Sequence, residues 1–165
     1  MKRLIIYDMD EENAQKLSRN KDDIMFAARP AAHNCVGCFS CWIKTPGVCV
    51  INDRCSEIPL DLSSCDEMWL ISELEYGGHS KPVKTVLDRS IGYMLPYFRI
   101  VDGEMHHQMR YKHSFKLVSI YYGNAMDEEK QIARELSEAN ARNFGCENYE
   151  TLFADDIDNA IEYVK

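Results

Sequence analysis

The sequence predicts an α/β fold in which a five-stranded parallel sheet is covered by helices on both faces. Two observations carry the prediction. Short apolar runs bounded by charges alternate along the chain with amphipathic stretches of helical period, the pattern of strands joined by helical crossovers. The chain is 165 residues long, the size of one domain, so residues 1–165 are expected to form a single unit.

The elements follow in order. Leu4-Ile5-Ile6-Tyr7 reads as the first strand, and Glu11 to Arg19 as a short helix with Ala14 and Leu17 on its apolar side. Asp23 to Ala27 is a weaker second strand, closed by Pro30. Met68 to Ile71, Phe115 to Tyr121 and Tyr149 to Phe153 are the remaining three. Val83, Val86, Leu87, Ser90, Ile91 and Met94 recur on one helical face, with Ser80 as N-cap and Pro82 in the first turn. Asp127 to Phe144 places Ile132, Ala133, Leu136 and Ala139 inward and closes on Gly145. Ile157, Ala160, Ile161 and Val164 form the apolar side of the last helix. Ligands of such sheets bind at the carboxyl ends of the strands, so the loops after Tyr7, Ile71 and Tyr121 are the places to expect a site. Two segments lack a regular pattern: a Cys-rich loop at 33–50 and a long connection at 95–114, with a turn signal at Asp102-Gly103.

Composition narrows the function. Nineteen Lys and Arg stand against 27 Asp and Glu, a formal charge of −8, and no basic stretch offers a footprint for nucleic acid. No apolar run approaches the ~20 residues that span a bilayer, and the first residues lack the apolar core of a signal peptide; a cytoplasmic protein without a membrane partner is expected. Seven cysteines are the anomaly, six of them between Cys35 and Cys65. An odd number in a cytoplasmic chain suits metal or redox chemistry better than disulfides.

Cys35, Cys38 and Cys41, each separated by two residues, are followed by Cys49 after seven more. Three closely spaced thiols can converge in a tight loop and the fourth can close a cage. Four thiolates suit a [4Fe–4S] cluster and also tetrahedral zinc, although zinc motifs more often come as two separated pairs. Reduced thiols packed as small hydrophobes are the third reading, and it is the one expected for Cys55 and Cys65. The His106-His107 pair points to opposite sides of an extended strand and makes a poor chelate. The 95–114 segment, approached by Tyr93-Met94-Leu95-Pro96-Tyr97-Phe98, is expected to serve as a lid or a subunit contact in a homo-oligomer.

The run from Cys35 to Asp53 resembles the cysteine segment of the NADPH-dependent FMN reductase and iron–sulfur flavoprotein families. Tyr76-Gly-Gly-His-Ser80, followed by Lys84-Thr-Val-Leu-Asp88-Arg89, is similar to their third strand-to-helix turn. The resemblance implies a flavodoxin-like fold with strand order 2-1-3-4-5 and FMN at the switch point. It further implies electrons passing from NAD(P)H through flavin to a redox protein acceptor, with a [4Fe–4S] cluster on Cys35, Cys38, Cys41 and Cys49. Tyr76, Gly77, Gly78, His79 and Ser80 would form one wall of the flavin site, and Tyr122, Gly123 and Asn124 another.

The chain departs from that family after the first strand. In place of a Gly- and Ser-rich phosphate loop it carries Asp8, Asp10, Glu11 and Glu12, with a short crossover. Carboxylates repel a phosphate dianion, and no glycine there lets the backbone approach one. Two functions are therefore expected from different classes: a flavin-dependent oxidoreductase or electron-transfer protein, and a degenerate flavodoxin-like protein that no longer binds FMN and acts as a binding or metal-stabilised scaffold.

Overall fold

The computed structural model describes residues 1–165. In chain order its elements are β1 (Arg3–Tyr7), α1 (Glu11–Ala14), β2 (Ile24–Ala27), α2 (Ser40–Ile43), α3 (Ile58–Leu62), β3 (Glu67–Glu75), β4 (Gly78–His79) and α4 (Lys81–Arg89). A 3₁₀ turn (Ser90–Tyr93) follows, then β5 (Met94–Val101), β6 (Glu104–Met109), β7 (Lys116–Tyr122), α5 (Asp127–Phe144), β8 (Tyr149–Ala154) and α6 (Ile157–Glu162). No helix is long and apolar enough to cross a membrane.

The main sheet runs β2-β1-β3-β7-β8, all parallel. This is the flavodoxin-like order that the family resemblance implies, with β4 added as a short antiparallel sixth strand on β3. Alternation along each strand divides the core into two layers. Leu4, Ile6, Leu70 and Leu117 pack with Ile58, Leu62, Val83 and Val86 on one face. Ile5, Val118 and Ile120 pack with Met9, Leu17, Ile161 and Val164 on the other.

That second face explains the first difference from expectation. The helix predicted over Glu11 to Arg19 stops at Ala14, and the chain continues in 3₁₀-type turns, Lys16 N–H to Asn13 C=O and Leu17 N–H to Ala14 C=O. Leu17 still buries its side chain; burial of a leucine stabilises by roughly 1.5–3 kcal/mol, enough to fix the segment without a full helix.

The other differences have equally local causes. β3 continues four residues past Ile71 to Glu75 and folds back through Tyr76 (φ 52°) and Gly77 (φ 76°) into β4. Two consecutive left-handed residues make the tight hairpin turn that matches strand twist. The 95–114 segment is likewise a regular hairpin, β5 with β6, turning at Asp102 (φ 51°) and Gly103 (φ 85°). It packs on α5, with His106 Nδ1 bonded to Asn143 Oδ1 at 3.0 Å and Arg142 Nη1 donating to Glu104 at 2.8 Å. On α5 the inward residues are Ala133, Ser137, Ala141 and Phe144, whereas Ile132 and Ala139 are exposed. Small residues at 133, 137 and 141 let the helix lie close to the sheet, and Ser137 Oγ meets the Tyr121 hydroxyl at 3.3 Å.

Candidate functional site

A cleft of about 740 Å³ opens at the carboxyl ends of β1, β2, β3 and β7, the switch point at which this topology places ligands. Its charged lining is Asp8, Asp10, Glu11, Glu73 and Arg29, with Tyr122 opposite. Asp8 is 2% exposed and forms the hub. Its carboxylate accepts the Tyr122 hydroxyl at 2.7 Å, the Glu73 backbone N–H at 3.1 Å and the Ser80 hydroxyl. Burial and the neighbouring Asp8 carboxylate push the Tyr122 phenol well above its ordinary pKa, so it stays a neutral donor.

Arg29 is the only cation in the lining, and it is engaged: its Nε donates to the Asp8 carbonyl at 2.9 Å and its Nη2 lies 3.8 Å from Glu73. At the start of α1, Asp10 Oδ1 accepts the Asn13 N–H at 2.8 Å. The one cation here is thus turned to the protein's own groups, and four carboxylates line the cleft. A flavin phosphate needs backbone N–H groups at a helix start and charge-assisted bonds. The residues present do not fit that group.

The residues expected around a flavin ring are dispersed. Tyr76 is 94% exposed at the tip of the β3–β4 hairpin. Gly77 and Gly78 face α5 instead of a ligand: a Cβ on Gly77 would lie 2.8 Å from Ile132 Cγ2, and one on Gly78 3.4 Å from Leu136. His79 is a core residue, stacked on Tyr121 at 4.6 Å with Nε2 bonded to the Tyr121 hydroxyl at 3.0 Å. Burial lowers its pKa to about 3, so it is neutral. Ser80 occupies the N-cap position of α4, but its hydroxyl turns to Asp8 and does not cap the helix. Gly123 takes φ 107° and donates its N–H to Ala154 C=O at 3.1 Å. Asn124 is exposed, and neither it nor Gly123 lines the cleft. Of these eight, only Tyr122 lines the cleft, and Ser80 reaches it through Asp8. Arg29 and Ile157, which do line it, carry no sequence motif; Arg29 could have been found only from its place directly after β2.

The cysteines behave differently. Cys35, Cys38, Cys41 and Cys49 line one enclosed cavity together with Arg89 and Ile91. Gly37 (φ 64°) and Phe39 (φ 54°) curl the backbone that carries the first three. The Ser40 backbone N–H holds the Cys38 thiol below its ordinary pKa, and burial, with the Cys49 thiol nearby, raises that of Cys41. Arg89, the last residue of α4, has a fully buried side chain. It donates to the His33 and Ile51 carbonyls at 2.7 and 3.2 Å and to both Asp53 oxygens at 2.8 and 2.9 Å. Its Nε has no protein partner.

No three His, Cys, Asp or Glu side chains gather closely enough to hold a single metal ion. A zinc ion, with Zn–S of about 2.3 Å, requires such crowding. The void between the thiols is about 20 Å³, so a larger guest needs the exposed Cys35–Phe39 turn to move outward. The four cysteines line this small cavity beside the buried Arg89, which is itself paired with Asp53. Cage and switch-point cleft share no lining residue; they lie toward opposite ends of α4, which at 1.5 Å per residue is about 13 Å long. Cys55 and Cys65 are fully buried in the core. His106 and His107 do not chelate: one bonds Asn143 and the other is stacked on Phe98 at 4.9 Å.

No protein-family model and no curated protein matches the sequence. Solved structures do match over the whole chain. An FMN-dependent NADH-azoreductase from Bacillus anthracis in complex with FMN is 14% identical with a TM-score of 0.58, over 99% of this chain and 95% of that one. An NAD(P)H:quinone oxidoreductase from Methanothermobacter marburgensis is 14% identical with a TM-score of 0.61, over 99% and 90%. An NADPH-quinone reductase from P. pentosaceus is 12% identical with a TM-score of 0.59, over 100% and 98%. At such identities the likeness is one of architecture: the chain has the flavodoxin-like fold on which these flavin-dependent and nicotinamide-dependent reductases are built.

Proposed function

We propose that this chain is an electron-transfer protein of flavodoxin-like fold whose redox group is a [4Fe–4S] cluster held by Cys35, Cys38, Cys41 and Cys49, and that its switch-point cleft does not bind FMN. The observation that carries the reading is the convergence of the four cysteines on one cavity beside the buried Arg89. A bound cluster supplies single-electron transfer. The protein supplies the rest. Arg89 offsets negative charge at the cage, Asp53 fixes Arg89, and the backbone N–H of Ser40 stabilises the Cys38 thiolate.

Val36 and Phe39 line the cage and are 72% and 45% exposed, and Ile43, at the end of α2, is 78% exposed. An exposed apolar rim marks a contact surface; here we assign it to a redox protein acceptor, or to a second copy of the chain in a homo-oligomer.

A second reading, a flavin-dependent NAD(P)H oxidoreductase, is favoured by the full-length likeness to such reductases. One experiment separates the two: anaerobic purification, an absorbance spectrum, and analysis for iron, sulfide, zinc and flavin. About four irons per chain, with a broad visible shoulder lost in Cys38→Ala, supports the first reading. Stoichiometric flavin, or tight binding of added FMN, supports the second. Stoichiometric zinc, or a colourless chain that takes up neither iron nor flavin, sinks both.

A further inference from the structure

The main sheet ends at β2 and β8, and the two edges are not alike. A free edge strand presents unpaired backbone groups to any extended chain, and proteins blunt such edges by shortness, prolines, lysines or bulges. β2 is four residues long. In the separate hairpin, β5 carries Pro96 and an irregular register with β6. β8 has none of these devices: Tyr149 to Ala154 keeps one regular register with β7 and contains no proline, lysine or arginine.

The direction of its backbone groups follows from the ladder. Asn148 C=O accepts from Leu117 N–H and Ala154 C=O from Gly123 N–H, both at 3.1 Å. In a parallel ladder alternate residues turn both backbone groups to the same neighbour, so Tyr149, Thr151 and Phe153 turn theirs outward. The Phe153 carbonyl accepts the Tyr163 hydroxyl at 3.1 Å. The other outward N–H and C=O groups have no partner in the protein.

A groove of about 340 Å³ lies between α5 and this strand, with Arg134, Glu135 and Glu138 on one side and Tyr149, Glu150 and Thr151 on the other. The surroundings are acidic. Glu147, Glu150, Asp155 and Asp156 fall between positions 147 and 156, with no Lys or Arg among them. Glu150 is offset by Lys116 and Glu138 by Arg142, and Arg134 lies over the Phe153 ring at 4.8 Å; Glu135, Glu147 and Asp155 form no ion pair. This charge decides between occupants. Two copies meeting edge to edge would press two such acidic segments together, and each chain already carries −8. A basic segment is attracted instead.

We propose that β8 receives an extended basic segment of a partner protein as an added strand, bonded to the outward groups of Tyr149, Thr151 and Phe153, with Lys or Arg at alternate positions over Glu135 and the groove. This surface shares no lining residue with the cage or the switch-point cleft, so the proposal does not rest on what either one binds.

The test uses the full chain at low salt and the probe peptide acetyl-Lys-Val-Lys-Val-Lys-Val-Lys-amide. Its control is the same peptide N-methylated at two adjacent central residues, which keeps the charge but removes an N–H from each edge. Saturable one-to-one binding of the first is expected, with slowed amide exchange at Tyr149, Thr151 and Phe153, and about tenfold weaker binding of the second. Thr151→Pro removes an outward N–H, leaves the β7 ladder in place, and is expected to weaken binding about tenfold. Glu135→Lys is expected to weaken it by a margin that shrinks in high salt, whereas Glu12→Lys, the same charge change on α1, is expected to leave it nearly unchanged. Melting curves confirm that the variants fold; if Thr151→Pro does not, amide exchange in the wild type and Glu135→Lys carry the test. The proposal is overturned by no saturable binding of the parent peptide, equal binding of its methylated form, wild-type affinity in a folded Thr151→Pro, or equal weakening by Glu12→Lys and Glu135→Lys. A chain that dimerises through β8, and is dispersed by Thr151→Pro, would overturn it as well.

Discussion

Replacing Arg89 by Met tests whether the cage is built around a buried cation. The guanidinium makes four hydrogen bonds, two of them to the Asp53 carboxylate, and its side chain is fully buried while that of Asp53 is 16% exposed. Methionine keeps most of the volume but leaves Asp53 and two carbonyls without their partner. Breaking one side of a buried ion pair costs about 3–5 kcal/mol. At about 2–4 °C per kcal/mol for a domain of this size, the melting temperature should fall by roughly 6–20 °C. Arg89 also holds Asp53 below the ordinary carboxylate range. The pair's stability is complete above about pH 4 and is lost as pH falls through the lowered value, so Arg89→Met should lose that acid-side slope. Locally, residues 33–53 should loosen, and the buried Cys41 thiol should react with a thiol reagent at a rate approaching that of the exposed Cys35. A melting shift below 2 °C in reducing buffer, with Cys41 still protected, would refute the reasoning.

Four further substitutions probe the rest of the molecule. His79 is neutral with a pKa of about 3, whereas the unfolded chain protonates near 6.5; stability should fall as pH drops below 6.5, by at most about 1.4 kcal/mol per unit, and His79→Phe should flatten the urea midpoint between pH 6.5 and 4. Gly77→Ala meets both a φ of 76° and Ile132 Cγ2 at 2.8 Å, whereas Gly103→Ala at φ 85° meets nothing within 4 Å. Thermal melts should therefore show a loss of about 1–3 kcal/mol for the first and at most about 1 kcal/mol for the second; equal losses would mean that the α5 contact is unimportant. Tyr122→Phe removes a 2.7 Å donor to a buried carboxylate and should cost about 1.5–3 kcal/mol in urea unfolding.

The five strands were legible because apolar runs such as Leu4–Tyr7 and Met68–Ile71 are buried wherever they sit, whereas their order follows only from the family resemblance. The extent of β3 was not legible. Ser72 and Glu73 still pair with β7 but carry polar side chains, Leu74 and Glu75 form the hairpin with β4, and the Tyr76-Gly77 turn that closes it resembles a ligand loop in sequence. The same chemistry at Asp102-Gly103 was read as a turn because no family motif competed with it. Position 137 of α5 was passed over as polar, although a serine bonded to a buried tyrosine belongs to the core. The cysteine spacing pointed to one cavity because four residues within fifteen positions in a curled loop have few ways to diverge. Arg29 and the Asp8 network depend on strands far apart in sequence, and no local pattern announces them.

Asp8 also has a thermodynamic consequence. A protein that holds a free anion gains stability by mass action, and its melting temperature rises with anion concentration. Here the anion is covalently part of the chain and its partners come from β3, β7 and the start of α4. Its occupancy is therefore constant, independent of any metabolite pool. The carboxyl end of this sheet is organised as though permanently liganded, and its rigidity owes nothing to supply.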